Sequence, residues 1–203
     1  SGDINNFEAN FNPGFGLVFK DVGYTYPETG IKALEGLNFT LKSGTTVAIT
    51  GRTGSGKSTI LQLVMRMMDP TEGSIEFKGV ELGVWKLDKY REHTGYVPQD
   101  VFLFSDTIEN NISFGVKEFK SEEREKERII ESAFDAGVLD DIEGFENGFK
   151  TLLGERGVNL SGGQKQRISI ARALIREPEL LILDDCLSAV DVITEKHILG
   201  RLK

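Results

Sequence analysis

The sequence predicts an α/β fold: a central, mostly parallel sheet, an antiparallel β layer, and an inserted α-helical subdomain. Three observations predict it. The stretch Gly51-Arg52-Thr53-Gly54-Ser55-Gly56-Lys57-Ser58-Thr59 fits G-x-x-x-x-G-K-[ST] and lies between a β-branched run and an apolar helical pattern. Leu180-Leu181-Ile182-Leu183 is wholly apolar and runs into Asp184-Asp185, as expected of a parallel strand buried on both faces. Upstream of the Gly-rich loop, two strand patterns separated by a turn supply the antiparallel layer.

In order, residues 1–15 read as a polar linker or arm, and 16–203 as one domain. Gly16–Val22 is a strand, closed by Tyr24-Thr25-Tyr26-Pro27. Leu37, Phe39 and Leu41 alternate within a half-buried strand over Leu34–Lys42. Thr45–Thr50 reads as a buried strand, and Ile60–Met68 as a helix stopped by Asp69-Pro70. Ser74–Gly79 is a short strand, Trp85–Arg91 a helical turn, and Gly95–Asp100 a strand running into a loop. Ser121 is the expected N-cap of a helix closed by Gly137, with Ile129, Ile130, Ala133 and Phe134 as its apolar stripe and Glu122–Arg128 as a solvated face. The core is expected over 16–100 and 161–203, with the helical subdomain over about 101–160. Ser161 followed by Gln164 is a capping box, opening a helix that runs towards Pro178.

The bulk numbers narrow the function. A net charge of −8 without a basic tract argues against nucleic acid as the main partner. The single cysteine, Cys186, adjoins an apolar run and reads as core. No apolar run approaches the ~18–20 residues that span a bilayer, so anything done at a membrane needs another anchor. The chain begins with Ser, which suggests an excised piece.

The loop's chemistry follows from its residues. Gly51, Gly54 and Gly56 allow backbone to approach a ligand closely, and successive N–H groups then form an anion nest at a helix N-terminus. Lys57 adds a full charge for the outer phosphates, and the Ser58 hydroxyl is a Mg²⁺ ligand type. Ligands of parallel sheets bind at the strands' carboxyl ends, so Asp184 is expected near the loop as a hard oxygen donor.

These pieces together resemble the nucleotide-binding domain of the ATP-binding cassette family, which has a P-loop NTPase core. Gly51–Thr59 is similar to its Walker A motif, Leu180–Asp184 to Walker B, Ser188–Asp191 to the D-loop, and Gln99 stands at the Q-loop position. Leu160-Ser161-Gly162-Gly163-Gln164 matches the family's signature letter for letter, and Tyr26 takes the place of the residue that stacks on adenine. Thr151–Gly157, Tyr96–Phe104 and Ile108–Ile112 resemble segments of exporters with fused membrane and nucleotide domains. The resemblance implies an ATPase of a membrane exporter at the cytoplasmic face. It implies ATP and Mg²⁺ as ligands, the metal taking Ser58, Gln99 and Asp184. It also implies a head-to-tail dimer in which residues 160–164 grip the partner's ATP. The region after Gln99 is then expected to dock on a transmembrane domain, although Phe102 and Phe104 also suit simple packing.

Two departures matter. Asp185 stands where the family's catalytic base is usually Glu, one methylene longer, which points to the weak half of a heterodimer. The family's switch histidine lies beyond the D-loop and has no counterpart before Lys203; His93 and His197 are misplaced for it. Slow hydrolysis by this chain alone is therefore expected. The competing readings are a non-hydrolysing regulatory half, and a soluble relative acting on nucleic acid or ribosomes.

Overall fold

In a computed structural model, residues 15–116, 119–154, 159–187 and 190–201 are described. The chain divides into two compact units, Ser1–Arg91 and Glu92–Lys203.

The first unit is built on an antiparallel sheet of order β2-β1-β3-β4, with β1 Phe15–Thr25, β2 Lys32–Lys42, β3 Glu72–Phe77 and β4 Val80–Glu81. Helix α1, Lys57–Val64, and helix α2, Leu87–Glu92, complete it. Alternation puts Leu17, Phe19, Ile75 and Phe77 in the core with Leu63, Val64 and Tyr90. The phenol of Tyr90 donates to the Val64 carbonyl at 2.6 Å, so even this buried ring keeps its polar end satisfied.

Two expectations need correction here. Thr45–Thr50 pairs in no strand, and Val47 and Ile49 are 50% and 40% exposed. β-Branched composition favours extended backbone, but a ladder needs a neighbour, and the antiparallel sheet of this unit does not recruit the run. Helix α1 stops at Val64, short of Asp69-Pro70. The Met67 N–H bonds to the Gln62 carbonyl and the Arg66 N–H to the Leu63 carbonyl. That is a Schellman ending, with Arg66 at φ 50° in the position glycine usually takes.

The second unit pairs β5, Thr94–Val97, with β6, Leu180–Leu183, in parallel. Around them lie α3 Ile108–Ser113, α4 Glu122–Asp135, α5 Leu139–Glu143, α6 Gly162–Leu174 and α7 Val192–Arg201. One apolar core joins Val97, Leu103, Ile112, Ala133, Ile142, Leu153, Ile168, Ile170, Cys186 and Ile198. Cys186 is indeed core: burial pushes its thiol up to about 11.

Ser121 caps α4 as expected, its side chain accepting from the Arg124 N–H. Gly137, at φ 64°, closes it with bonds from the Gly137 and Val138 N–H groups to Phe134 and Ala133. The stripe is narrower than the sequence suggests. Ile129 and Ala133 are buried, while Ile130 and Phe134 are each 46% exposed. Phe134 instead meets His197 edge-on and lies under the Arg201 guanidinium. Nor is the charged face wholly solvated: Arg128 is sunk between Glu131 and Glu177 and donates to the Ile175 carbonyl. Among the described residues, no helix is long and apolar enough to cross a membrane.

Candidate functional site

In the first unit the Gly-rich loop ends where α1 begins. Gly56 takes φ 86°, which an L side chain rarely adopts, and a Cβ there would lie 2.8 Å from the Ala33 carbonyl oxygen. The loop therefore sits against the start of β2 through a residue that has to be glycine. The first N–H groups of α1 have no acceptor within the helix, and its first turn holds no acid. Both features favour an anion. Lys57 Nζ donates to the carbonyls of Gly51 at 2.7 Å and Arg52 at 2.9 Å, which keeps the ammonium on the loop. Gly51, Arg52, Thr53, Gly54, Ser55 and Ser58 are exposed.

Tyr26 lies near this loop. Its hydroxyl is 3.0 Å from Thr59 Oγ1, and its ring packs edge-on against Tyr24. A ring tethered to the loop is held in one orientation before any ligand arrives. Tyr26→Phe and Thr59→Val should each weaken ATP binding about three- to tenfold, the scale of one hydrogen bond. Inorganic tripolyphosphate, which has no base, should bind them as it binds the wild type. Titration calorimetry with both ligands makes the comparison.

In the second unit, β5 and β6 run in register to Val97 and Leu183. Gln99 and the Asp184-Asp185 pair therefore leave the sheet at the same carboxyl edge. The Asp184 N–H bonds to the Val97 carbonyl at 3.0 Å, and the Tyr96 hydroxyl donates to Asp184 Oδ2 at 3.2 Å. Burial, reinforced by the Asp184 charge, pushes the Tyr96 phenol up, so it stays a donor. Asp185 is exposed and sits at φ 47°, a left-handed position that Asp tolerates better than most residues.

The third piece is the start of α6. Ser161 Oγ accepts from the Gln164 N–H at 3.2 Å, and Gln164 Oε1 accepts from the Ser161 N–H at 3.0 Å: the capping box is complete. Leu160 is buried beneath it. A Cβ at Gly162 would meet nothing outside its own turn within 4 Å, so packing at that atom does not require a glycine there. The turn offers unpaired N–H groups and an open approach. Ser188 and Ala189 lie outside the described residues, as do 155–158; Asp191 caps α7 by accepting from the Ile193 and Thr194 N–H groups.

One surface is aromatic. Phe102 and Phe114 are 52% and 54% exposed, so they do not merely pack the core. Phe104 bridges them, with ring centroids 5.2 and 4.4 Å away. Arg172 lies over Phe104 and Phe114 and donates to the carbonyls of Phe102 and Asn111 and to the Asn111 side chain. Burial lowers its pKa to about 10.

Sequence reasoning missed Tyr96 and Thr59 as partners of named site residues, and Asp141 and Arg167 beside the signature turn. Those contacts join positions far apart in the chain, and no local pattern marks them.

Comparison with known proteins agrees with the geometry. The ABC transporter family profile matches residues 34–188. The chain is 46% identical over 187 residues to the probable multidrug resistance ABC transporter ATP-binding/permease protein YheI of Bacillus subtilis, covering 92% of this chain and 31% of that protein. It is 50% identical over 180 residues to the multidrug resistance-like ATP-binding protein MdlA of Escherichia coli, covering 89% and 30%. Against the structure of a bacterial Atm1-family ABC exporter with ATP bound, the TM-score is 0.83 at 38% identity, over 93% of this chain and 32% of that one. The chain thus spans about a third of the length of the relatives it matches. With a Gly-rich loop, a capped signature turn and a parallel strand running into Asp184 in that order along the chain, and with this family's profile across most of its length, the chain belongs to the ABC transporter family.

Proposed function

We propose that this chain is the ATP-binding motor domain of a membrane exporter, at the cytoplasmic face, and one half of a head-to-tail nucleotide sandwich. The observation that carries the reading is the start of α6. It is a capped helix N-terminus whose first residue, Gly162, faces open space, while Lys57 and α1 already provide a phosphate grip. One triphosphate does not need both from one chain; two chains exchanging them do.

The roles follow from the residues. Tyr26 stacks the adenine, and the loop 51–59 holds the phosphates. Ser58, Gln99 and Asp184 carry hydroxyl, amide and carboxylate oxygens, each a hard donor of the type that Mg²⁺ takes. When bound, the metal neutralises charge on the phosphates. Ser161 to Gln164 present donors to the nucleotide of the facing chain. Phe102, Phe104 and Phe114 form the face that meets the transmembrane domain. In support, the relatives include an ATP-binding/permease protein roughly three times as long as this chain.

Asp185 favours a second reading, a half that binds ATP and turns it over slowly while serving a more competent, non-identical partner. Its carboxylate stands about 1 Å or more short of where Glu would place it, a displacement that costs on the order of 100-fold in rate. Asp185→Glu is expected to raise phosphate release at least tenfold over wild type. An unchanged rate in a phosphate-release assay would place the deficit elsewhere.

A further inference from the structure

The signature turn is held from behind by one carboxylate. Asp141 lies in α5, 23 positions before Gln164. Its Oδ1 accepts from Gln164 Nε2 at 2.8 Å, and its Oδ2 pairs with Arg167 Nη1 at 2.8 Å. Arg167 also donates through Nη1 to the Gly137 carbonyl and through Nε to the Gly163 carbonyl at 3.2 Å.

We infer that Asp141 is the positioning residue of the signature turn, setting Ser161, Gly162 and Gly163 for the phosphate of the facing chain; this rests on the sandwich reading above. The chemistry is directional. An ionised carboxylate only accepts hydrogen bonds. It therefore draws the NH₂ end of the Gln164 amide to itself, which turns Oε1 towards the Ser161 N–H. That is the orientation the capping box needs. Ser161 Oγ in turn accepts from the Gln164 N–H, which leaves the hydroxyl hydrogen to point outward as a donor. Through Arg167 the same carboxylate steadies the Gly163 carbonyl. Both flanks of Gly162 are thus set by Asp141, and the turn is pre-organised before any phosphate arrives.

Two substitutions separate the parts. Asp141→Ala removes both acceptors. Asp141→Asn is isosteric but offers one acceptor and one donor, so it satisfies Gln164 or Arg167 and not both.

The first measurement is amide hydrogen exchange in the 203-residue chain without nucleotide. Exchange in the first turn of α6 should speed up about tenfold in Asp141→Ala and by less in Asp141→Asn, with α1 and β3 unchanged. The second uses ATP·Mg²⁺. Each variant should bind nucleotide within about twofold of wild type, because the Lys57 loop is untouched. ATP-driven pairing should weaken about tenfold or more. A merely structural contact would not split the two readouts in this way.

Unchanged exchange in the first turn of α6 would overturn the assignment. So would a loss of ATP binding in parallel with pairing, which would mark Asp141 as an ordinary fold contact. The exchange comparison needs no partner. A wild-type chain that binds ATP but never pairs counts against the sandwich reading, separately from Asp141's hold on the turn.

Discussion

Gly162→Asp is expected to leave the chain folded and to abolish ATP-driven pairing. Gly162 is the first residue of α6, and a Cβ there meets no atom outside its own turn within 4 Å. Packing therefore does not oppose the change. Aspartate replaces the poorest non-proline helix former and puts negative charge at the positive end of the helix, worth about 0.3–1 kcal/mol. The melting temperature should hold or rise by a few degrees. In the proposed head-to-tail pair, however, the new carboxylate stands where the facing chain's terminal phosphate has to come. Two unit charges 4 Å apart repel by about 4 kcal/mol at an effective dielectric of 20, roughly three orders of magnitude in affinity. Thermal melting and sedimentation with ATP·Mg²⁺ test the two halves of the prediction. A protein stabilised and disabled by one substitution is hard to explain unless α6 opens towards another molecule.

Lys57→Ala should act at the other grip. The ammonium contacts the Gly51 and Arg52 carbonyls, both exposed, so the fold loses little. The nucleotide loses a charge-assisted partner, and such bonds contribute about 1.5–3 kcal/mol each. ATP affinity should fall on the order of 100-fold or more if two phosphate contacts are lost. The α6 turn should exchange as in wild type. Calorimetry with ATP·Mg²⁺ gives the affinity, and hydrogen exchange gives the control.

What could be read from the sequence was local. The Ser161–Gln164 capping box spans three positions and is present as expected. So is the Ser121 cap of α4, and so is the parallel strand Leu180–Leu183, whose uniform apolarity needs cover on both faces. The turn from the Gly-rich loop into α1 is legible because Gly56 takes the positive φ that the glycine spacing implies. What failed depended on partners. Thr45–Thr50 has strand composition but lacks a paired neighbour in its unit. Phe134 shares the helical period of Ala133, yet α7 rather than the core receives it. Arg128 sits in a charge run, yet contacts from Ile175 and Glu177 leave it only partly exposed. Asp141 and Thr59 reach their partners across 23 and 33 positions, where single-sequence periodicity carries no information.

The central claim is that each nucleotide is gripped by Lys57 of one chain and Gly162 of another. Mixing the two disabled variants tests it most directly. In a head-to-tail pair of Lys57→Ala with Gly162→Asp, both defects fall on one site, and the other site combines an intact loop with an intact signature turn. The mixture should therefore recover ATP-driven pairing, with one tightly held ATP per pair, although neither variant pairs alone. A mixture as inert as its two components would contradict the account.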